Sequence, residues 1–188
     1  MNRREELKRR TPLTAKGWLK RGRSAGRHAA GPKPRARRGA MQAAVSLVLA
    51  GECTVAQAAR QHDVDPDRLD DQADAEFRRL VLERDSYTCQ ECGELATEVQ
   101  HRVARGMGGT ANPRIAFGRA NGVSMCRRSH RLAEARDEGL YARGFWLWQT
   151  QDPETVPVKV PGPFGSFQSL WLLPNGEVTG TDPAEAAA

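Results

Sequence analysis

Apolar positions change their spacing several times along the chain, and each change marks an expected element. Residues 1–40 hold almost no large apolar side chain beyond Leu7, Leu13, Trp18 and Leu19. So few cannot offset the entropy of ordering, and this arm is expected to be disordered in isolation. From Ala43 to Ala50 the residues form an apolar run of helical character, stopped by Gly51 in a C-cap role. Thr54 is placed to cap a second helix through Arg60, with Ala58 and Ala59 small enough for close helix packing. The turn Gln61–Asp65 leads to a third helix opening at Pro66, a favoured first position. A further helix with Phe77, Leu80, Val81 and Leu82 on it runs from Glu76 to Arg84 and ends at Asp85-Ser86. After His130 the pattern predicts another, with Leu132, Ala135, Leu140 and Ala142 buried and Gly144 ending it. Phe145 to Thr181 alternates strand-like pieces with Pro and Gly turns, and Pro174-Asn175-Gly176-Glu177 reads as a hairpin turn. Trp146, Trp148, Trp171 and Phe167 are the expected core of that part.

The pattern divides the chain into a basic arm (1–40), a helical unit (41–75), a central unit (76–144), a small β extension (145–181) and a frayed Ala-rich tail (182–188). The predicted fold class is α+β. With 6% aromatic and 28% charged residues among 188, no large single core is expected. No run of eighteen apolar residues exists, so no membrane partner is expected. The N-terminus lacks the apolar stretch of a secretory signal, which predicts a cytoplasmic location. In that reducing compartment four cysteines favour metal binding over disulfides.

Charge sharpens the division. Residues 1–40 carry 14 Lys and Arg against Glu5 and Glu6, a net +12, whereas the remaining residues carry 15 basic and 21 acidic side chains, a net −6. A basic arm is the electrostatic signature of a nucleic-acid partner, because neutralised phosphates release counterions; a solubilising tail is the plainer alternative. The string G-x-x-T-V-A-Q-A-A-R-x-x-x-V, within residues 41–75, resembles the helix-turn-helix segments of transposases and small regulators. Its third helix would enter a major groove. Asp65, Asp67, Asp70, Asp71 and Asp74 stand there instead of cations, and residues 41–75 sum to −5. A protein-docking unit therefore weighs as much as a DNA reader.

The densest chemistry lies between Tyr87 and Arg131. Cys89-x-x-Cys92 is one pair of zinc ligands, and Cys126 begins a second that should close three residues on, where Ser129 stands. A neutral serine is a poor zinc ligand. Three readings stay open: a three-cysteine site finished by water or a borrowed side chain, a weakened zinc site, or a frame that has lost zinc. Cys53 reads as a small buried apolar residue. His101, Asn121 and His130 are the residue types a hydrolytic site needs. Arg102, Arg105, Arg114, Arg119, Arg127, Arg128 and Arg131 lie close by in sequence and could contact phosphates.

The run F-R-R-L-V-L-E-R-D-S-Y-T-C-Q-E-C-G, followed by V-Q-H-R, A-N-G-V-S-M-C and S-H-R, resembles the HNH endonucleases with a ββα-metal fold. The resemblance spans roughly residues 77–142. The phage-type subset is similar through its basic N-terminal arm and an R-G-M-G-G loop like Arg105–Gly109. It implies His101 as general base, Asn121 as the residue holding that base, and His130 as ligand of a divalent cation such as Mg²⁺, Mn²⁺ or Ni²⁺. The family usually has Asp or His directly before the base; here Gln100 offers an amide oxygen, a weaker ligand for a hard cation. The function implied is a metal-dependent DNA endonuclease or nicking enzyme, phage-encoded and acting in the host cytoplasm. The competing expectation is a non-catalytic, zinc-containing DNA-binding protein, or a docking factor for phage packaging or replication proteins.

Overall fold

The computed structural model describes residues 34–106 and 109–186. Pro34 opens helix α1 (Pro34–Leu49), which therefore takes in the end of the expected arm; residues 1–33, most of that arm, lie outside the described residues. The helix stops where local chemistry says it should. Gly51 adopts φ 73°, and the N–H groups of Glu52 and Gly51 bond the carbonyls of Leu47 and Val48 at 3.1 and 3.0 Å, the paired pattern that satisfies orphan C-terminal carbonyls. Helix α2 (Val55–His62) starts with a reciprocal capping box: Thr54 Oγ1 accepts from the Gln57 N–H at 3.2 Å and Gln57 Oε1 accepts from the Thr54 N–H at 2.9 Å. Helix α3 (Pro66–Arg84) is capped by Asp65, whose carboxylate accepts from the Arg68 N–H at 2.9 Å. It runs unbroken past Ala75 and Glu76, so the two helices expected there are one. Ala44, Val48, Ala58, Leu69, Ala73 and Phe77 form the fully buried seam between the three helices.

The far half of α3 leaves this bundle and backs a pair of strands. Strand β1 (Glu98–His101) runs antiparallel to β2 (Gly122–Met125), with Glu98 opposite Met125 and His101 opposite Gly122. Contact with α3 is tight at Gly122: a Cβ there would stand 2.7 Å from both Phe77 and Val81 side chains. Arg84 and Asp85 complete the join. Their buried ion pair spans 2.7 Å; Arg84 also donates to the carbonyls of Arg119 and Gly122, and Asp85 accepts from the Ser124 N–H. Between the strands lie a short helix α4 (Pro113–Ala116) and a tight turn at Arg119–Asn121. Helix α5 (Arg127–Glu134) follows β2 and crosses β1, and α6 (Glu138–Ala142) comes next. The expected single helix after His130 is thus two, one beginning before that residue, separated by Arg136 at φ 58°. Of its expected buried side only Leu140 is buried.

Strands β3 (Val158–Pro161), β4 (Phe167–Leu172) and β5 (Val178–Thr179) form an antiparallel sheet in that order. The β4–β5 turn is the expected one, with Gly176 at φ 89°. Its core differs from expectation. Phe145, Trp146, Val158 and Leu172 are buried, whereas Trp148 and Phe167 are 49% and 58% exposed. The cause is connectivity: the Phe145–Trp148 piece is not a sheet strand but runs beside Val103 through a single parallel bridge, so its residues do not alternate across a sheet. A final short helix, α7 (Pro183–Ala186), lies in the segment expected to fray. The class is mixed helix and sheet, and among the described residues no helix is long and apolar enough to cross a membrane.

Candidate functional site

Two clusters of chemistry flank α5. The first is a thiol cluster. Cys89 and Cys92 sit on the turn after α3, where the Gly93 N–H bonds the Cys89 carbonyl at 2.8 Å, and Cys126 caps α5. The three sulfurs lie within 4.8 Å of one another, a group that could hold a metal ion such as zinc. All are free thiols, as is Cys53, which packs against the helical seam. Burial pushes the Cys92 thiol up to about 11. At Cys126 burial acts the same way but is outweighed by hydrogen bonding with Ser129, through side chain and backbone, and with the neighbouring cysteines, which holds this thiol below the usual range. Ser129 is fully buried among them. Its hydroxyl donates to Glu91 Oε2 at 2.9 Å, and Arg143 holds the other carboxylate oxygen at 2.5 Å. Burial would raise Glu91, yet these two donors keep it below the ordinary carboxylate range.

The second is a cleft of about 440 Å³ lined by Gln100, His101, Arg105, His130, Glu134 and Trp146, among others. The strand end delivers His101, and α5 delivers His130, from opposite sides. The His101 ring stacks on Phe77 at 5.0 Å, and its Nε2 lies 3.0 Å from the Ala116 carbonyl. A carbonyl can only accept, so Nε2 carries the proton and Nδ1 the lone pair. Burial, reinforced by the Arg105 charge, pushes this imidazole down to about 4, so it is neutral at pH 7. His130 Nδ1 meets Glu98 Oε2 at 2.9 Å, with Glu134 at 3.8 Å. The same reasoning puts the proton on Nδ1 and leaves Nε2 able to bind a cation, oriented by a carboxylate behind it. Gln100 donates its amide to the His101 carbonyl at 2.9 Å, which leaves its oxygen as a weak donor to the cleft. Among the described residues the three cysteines form the one group whose ligand atoms converge as a metal site requires, so at the cleft His130 Nε2 and the weaker Gln100 oxygen are the only groups assigned to a cation.

Asn121 departs from expectation. It does not touch the His101 ring. Its Oδ1 accepts from the Val103 N–H at 2.7 Å, and its Nδ2 donates to the carbonyls of Val103 and Ile115 at 3.0 and 2.8 Å. With zero exposure and every strong site used, it pins the chain after β1 to the segment that presents the Ala116 carbonyl. Its hold on His101 is indirect.

Arg102 is the larger correction. Expected at a DNA surface, it is 1% exposed and wholly enclosed. Its guanidinium donates to the carbonyls of Gly144, Ala120, Pro153, Val156 and Pro157 at 2.6–3.5 Å, which leaves no donor for a phosphate. Burial, with Arg84 nearby, lowers it to about 9. Arg105 is half-committed: it bonds the Ala116 carbonyl, pairs with Asp74 at 3.0 Å and lies over Phe117. Arg127, Arg128 and Arg131 project from α5 and are exposed. In the Arg105–Gly109 loop, Met107 and Gly108 lie outside the described residues.

Sequence reasoning passed over Glu91, Glu98 and Glu134. Two of them were findable. Glu98 lies two residues before Gln100 and so shares its strand face, and Glu134 lies one helical turn after His130. Glu91 carried no such signal, because it lies between the cysteines and meets Ser129 only through the fold. Comparison with protein-family models, curated proteins and solved structures gives no match for this chain.

Proposed function

We propose that the chain is a metal-dependent DNA endonuclease or nicking enzyme of the HNH kind, hydrolysing phosphodiester bonds, with zinc at the thiol cluster as a structural brace. One observation carries the reading: His101 and His130 line the same cleft, each with one ring nitrogen tied to an acceptor and the other left with its lone pair. Nδ1 of His101 takes the proton from the attacking water, a contribution of about 10²–10⁴-fold for a well-placed base. Phe77 and the Ala116 carbonyl fix the plane of that ring. His130, with Gln100 as a weaker partner, would hold the divalent cation. When bound, that cation supplies Lewis-acid stabilisation of charge on the phosphate and the leaving 3′ oxygen. With Arg102 enclosed and Arg105 half-committed to Asp74 and Ala116, Arg127, Arg128 and Arg131 on the exposed side of α5 are the best placed of the expected arginines to contact phosphates.

The test is nicking of supercoiled plasmid with Mg²⁺, Mn²⁺ or Ni²⁺ by the wild type and by His101→Ala. Cleavage lost in the variant while DNA binding persists is the expected result. Binding without cleavage by the wild type under every metal overturns the enzyme reading. A second reading, a non-catalytic zinc-containing protein that binds DNA or docks on a packaging or replication partner, is favoured by Gln100, an amide where a carboxylate would anchor the cation.

A further inference from the structure

The thiol cluster has a fourth corner, and it is filled. Tetrahedral zinc with Zn–S of about 2.3 Å and Zn–O of about 2.0 Å requires S···O separations near 3.5 Å and S···S separations near 3.8 Å. Ser129 Oγ lies 3.5 Å from Cys89 Sγ, 3.7 Å from Cys92 Sγ and 3.2 Å from Cys126 Sγ, and the sulfurs of Cys92 and Cys126 are 3.7 Å apart. These four of the six edges match a ZnS₃O tetrahedron, and the two remaining sulfur–sulfur edges lie within 4.8 Å. We propose that Ser129 Oγ is the fourth ligand of this site, made competent as a donor by the Glu91 carboxylate that accepts its proton in a hydrogen bond.

A lone serine hydroxyl is a poor zinc ligand because it is neutral and its lone pairs are weakly basic. Glu91 changes both properties. Its Oε2, 2.9 Å from the hydroxyl, draws the O–H away from the sulfurs and turns the oxygen lone pairs toward them. Arg143 fixes the far oxygen of the same carboxylate, so the acceptor cannot rotate away. The proton balance is simple. Cys89, Cys92 and Cys126 each release one proton to solvent on binding the metal. The Ser129 proton stays between Ser129 and Glu91. Three thiolates on a divalent ion leave one negative charge, and Glu91 adds another that Arg143 offsets. Burial favours the arrangement, since Ser129 and Cys89 are 0% and 1% exposed and no competing bulk water reaches them. The serine that interrupts the cysteine pattern is then a donor in its own right, activated from the Cys89–Cys92 turn.

The proposal rests on the thiol cluster being a zinc site, and the experiment separates the two. The full chain is titrated with Co²⁺ as a spectroscopic stand-in for Zn²⁺, and zinc affinity follows from competition. Wild type, Ser129→Ala, Glu91→Gln, the double variant and Ser129→Cys are compared. The expected result is one tightly held ion with the ligand-field bands of a tetrahedral site and sulfur-to-cobalt charge transfer from three thiolates. Ser129→Ala and Glu91→Gln each weaken binding by about 10- to 100-fold, as the loss of orienting partners does elsewhere. The double variant is no weaker than the worse single one. Ser129→Cys binds at least as tightly as wild type and adds a fourth thiolate to the charge-transfer band, which also shows that the position tolerates substitution without unfolding. Wild-type affinity and spectrum in both Ser129→Ala and Glu91→Gln overturn the fourth ligand and leave the three-cysteine site standing. Weakened binding in Glu91→Gln alone overturns it in favour of direct carboxylate ligation. Failure of both wild type and Ser129→Cys to bind either metal overturns the zinc reading and this proposal with it.

Discussion

The thiol cluster and the histidine cleft draw on neighbouring residues of one short helix, yet they are held by different means. In the cluster, side chain meets side chain: sulfurs, the Ser129 hydroxyl, Glu91 and Arg143 form a closed set. In the cleft, His130 is held by the Glu98 carboxylate, but the residues around His101 are held by backbone. His101 leans on the Ala116 carbonyl, Asn121 on Val103 and Ile115, and Arg102 on five carbonyls drawn from residues 120–157. A closed set of side chains can be altered one residue at a time. A site strung between carbonyls fails wherever the chain that carries them moves.

Arg102 is where this contrast breaks most visibly. Arg102→Met keeps the length of the side chain and takes the donor from five carbonyls, three of them in buried hydrogen bonds, so a loss of roughly 3–5 kcal/mol in unfolding free energy is expected. Denaturant melts compare it with Arg131→Met, whose exposed side chain predicts no measurable change. A melt for Arg102→Met that matches wild type would show that the enclosed guanidinium is dispensable. A smaller effect is expected at Glu98. Glu98→Gln removes the charge that orients His130 and should weaken binding of the exchangeable cation by about tenfold, read by calorimetry with Mn²⁺. The zinc content of the cluster should not move. Equal loss at both sites would dissolve the distinction between them.

The smallest effect is one of pH. His101 is held near 4 in the folded chain by burial and by Arg105, with Arg78 acting in the same direction and Asp74 and the Ala116 carbonyl opposing. In the unfolded chain it titrates near its ordinary value of about 6.5. As pH falls from about 6.5 to about 4 the unfolded state takes up a proton that the folded state refuses, so stability declines across that window and is unaffected above it. Chemical denaturation at pH 7 and pH 5 should give a smaller difference for His101→Asn than for wild type. Identical differences would place the acid sensitivity elsewhere.

What could be read from the sequence follows the same divide. Gly51, Thr54 as a cap, the helix start at Pro66 and the Pro174–Gly176 turn were legible, because each belongs to a local motif that satisfies backbone groups within five residues of itself, whereas the Gln57 half of the box and the Asp65 cap came with the structure. The helix across residues 75 and 76 was not, since the division followed the apolar positions Phe77, Leu80, Val81 and Leu82 although no breaker stands before them. Arg102 was misplaced because its acceptors belong to residues up to 55 positions away, and a buried arginine without a nearby carboxylate has no sequence signature. Asn121 and Glu91 were opaque for the same reason. The cysteine frame was legible by spacing, but the part played by its serine depended on a carboxylate whose direction only the fold reveals.

The unbroken α3 has a mechanical consequence. Its first turns belong to the helical bundle, while Phe77, just past its middle and the last of the seam, forms the back wall of the His101 ring. Nineteen residues at 1.5 Å each make a rod about 28 Å long, of which about 17 Å separate Pro66 from Phe77, with no hinge between the first turns and the residue that backs His101. Such a rod is a ruler. Whatever the bundle holds, be it a duplex or another protein, fixes how far away the cleft must work, and inserting residues into α3 would shift that distance by a set step and turn the bundle by 100° for each residue added.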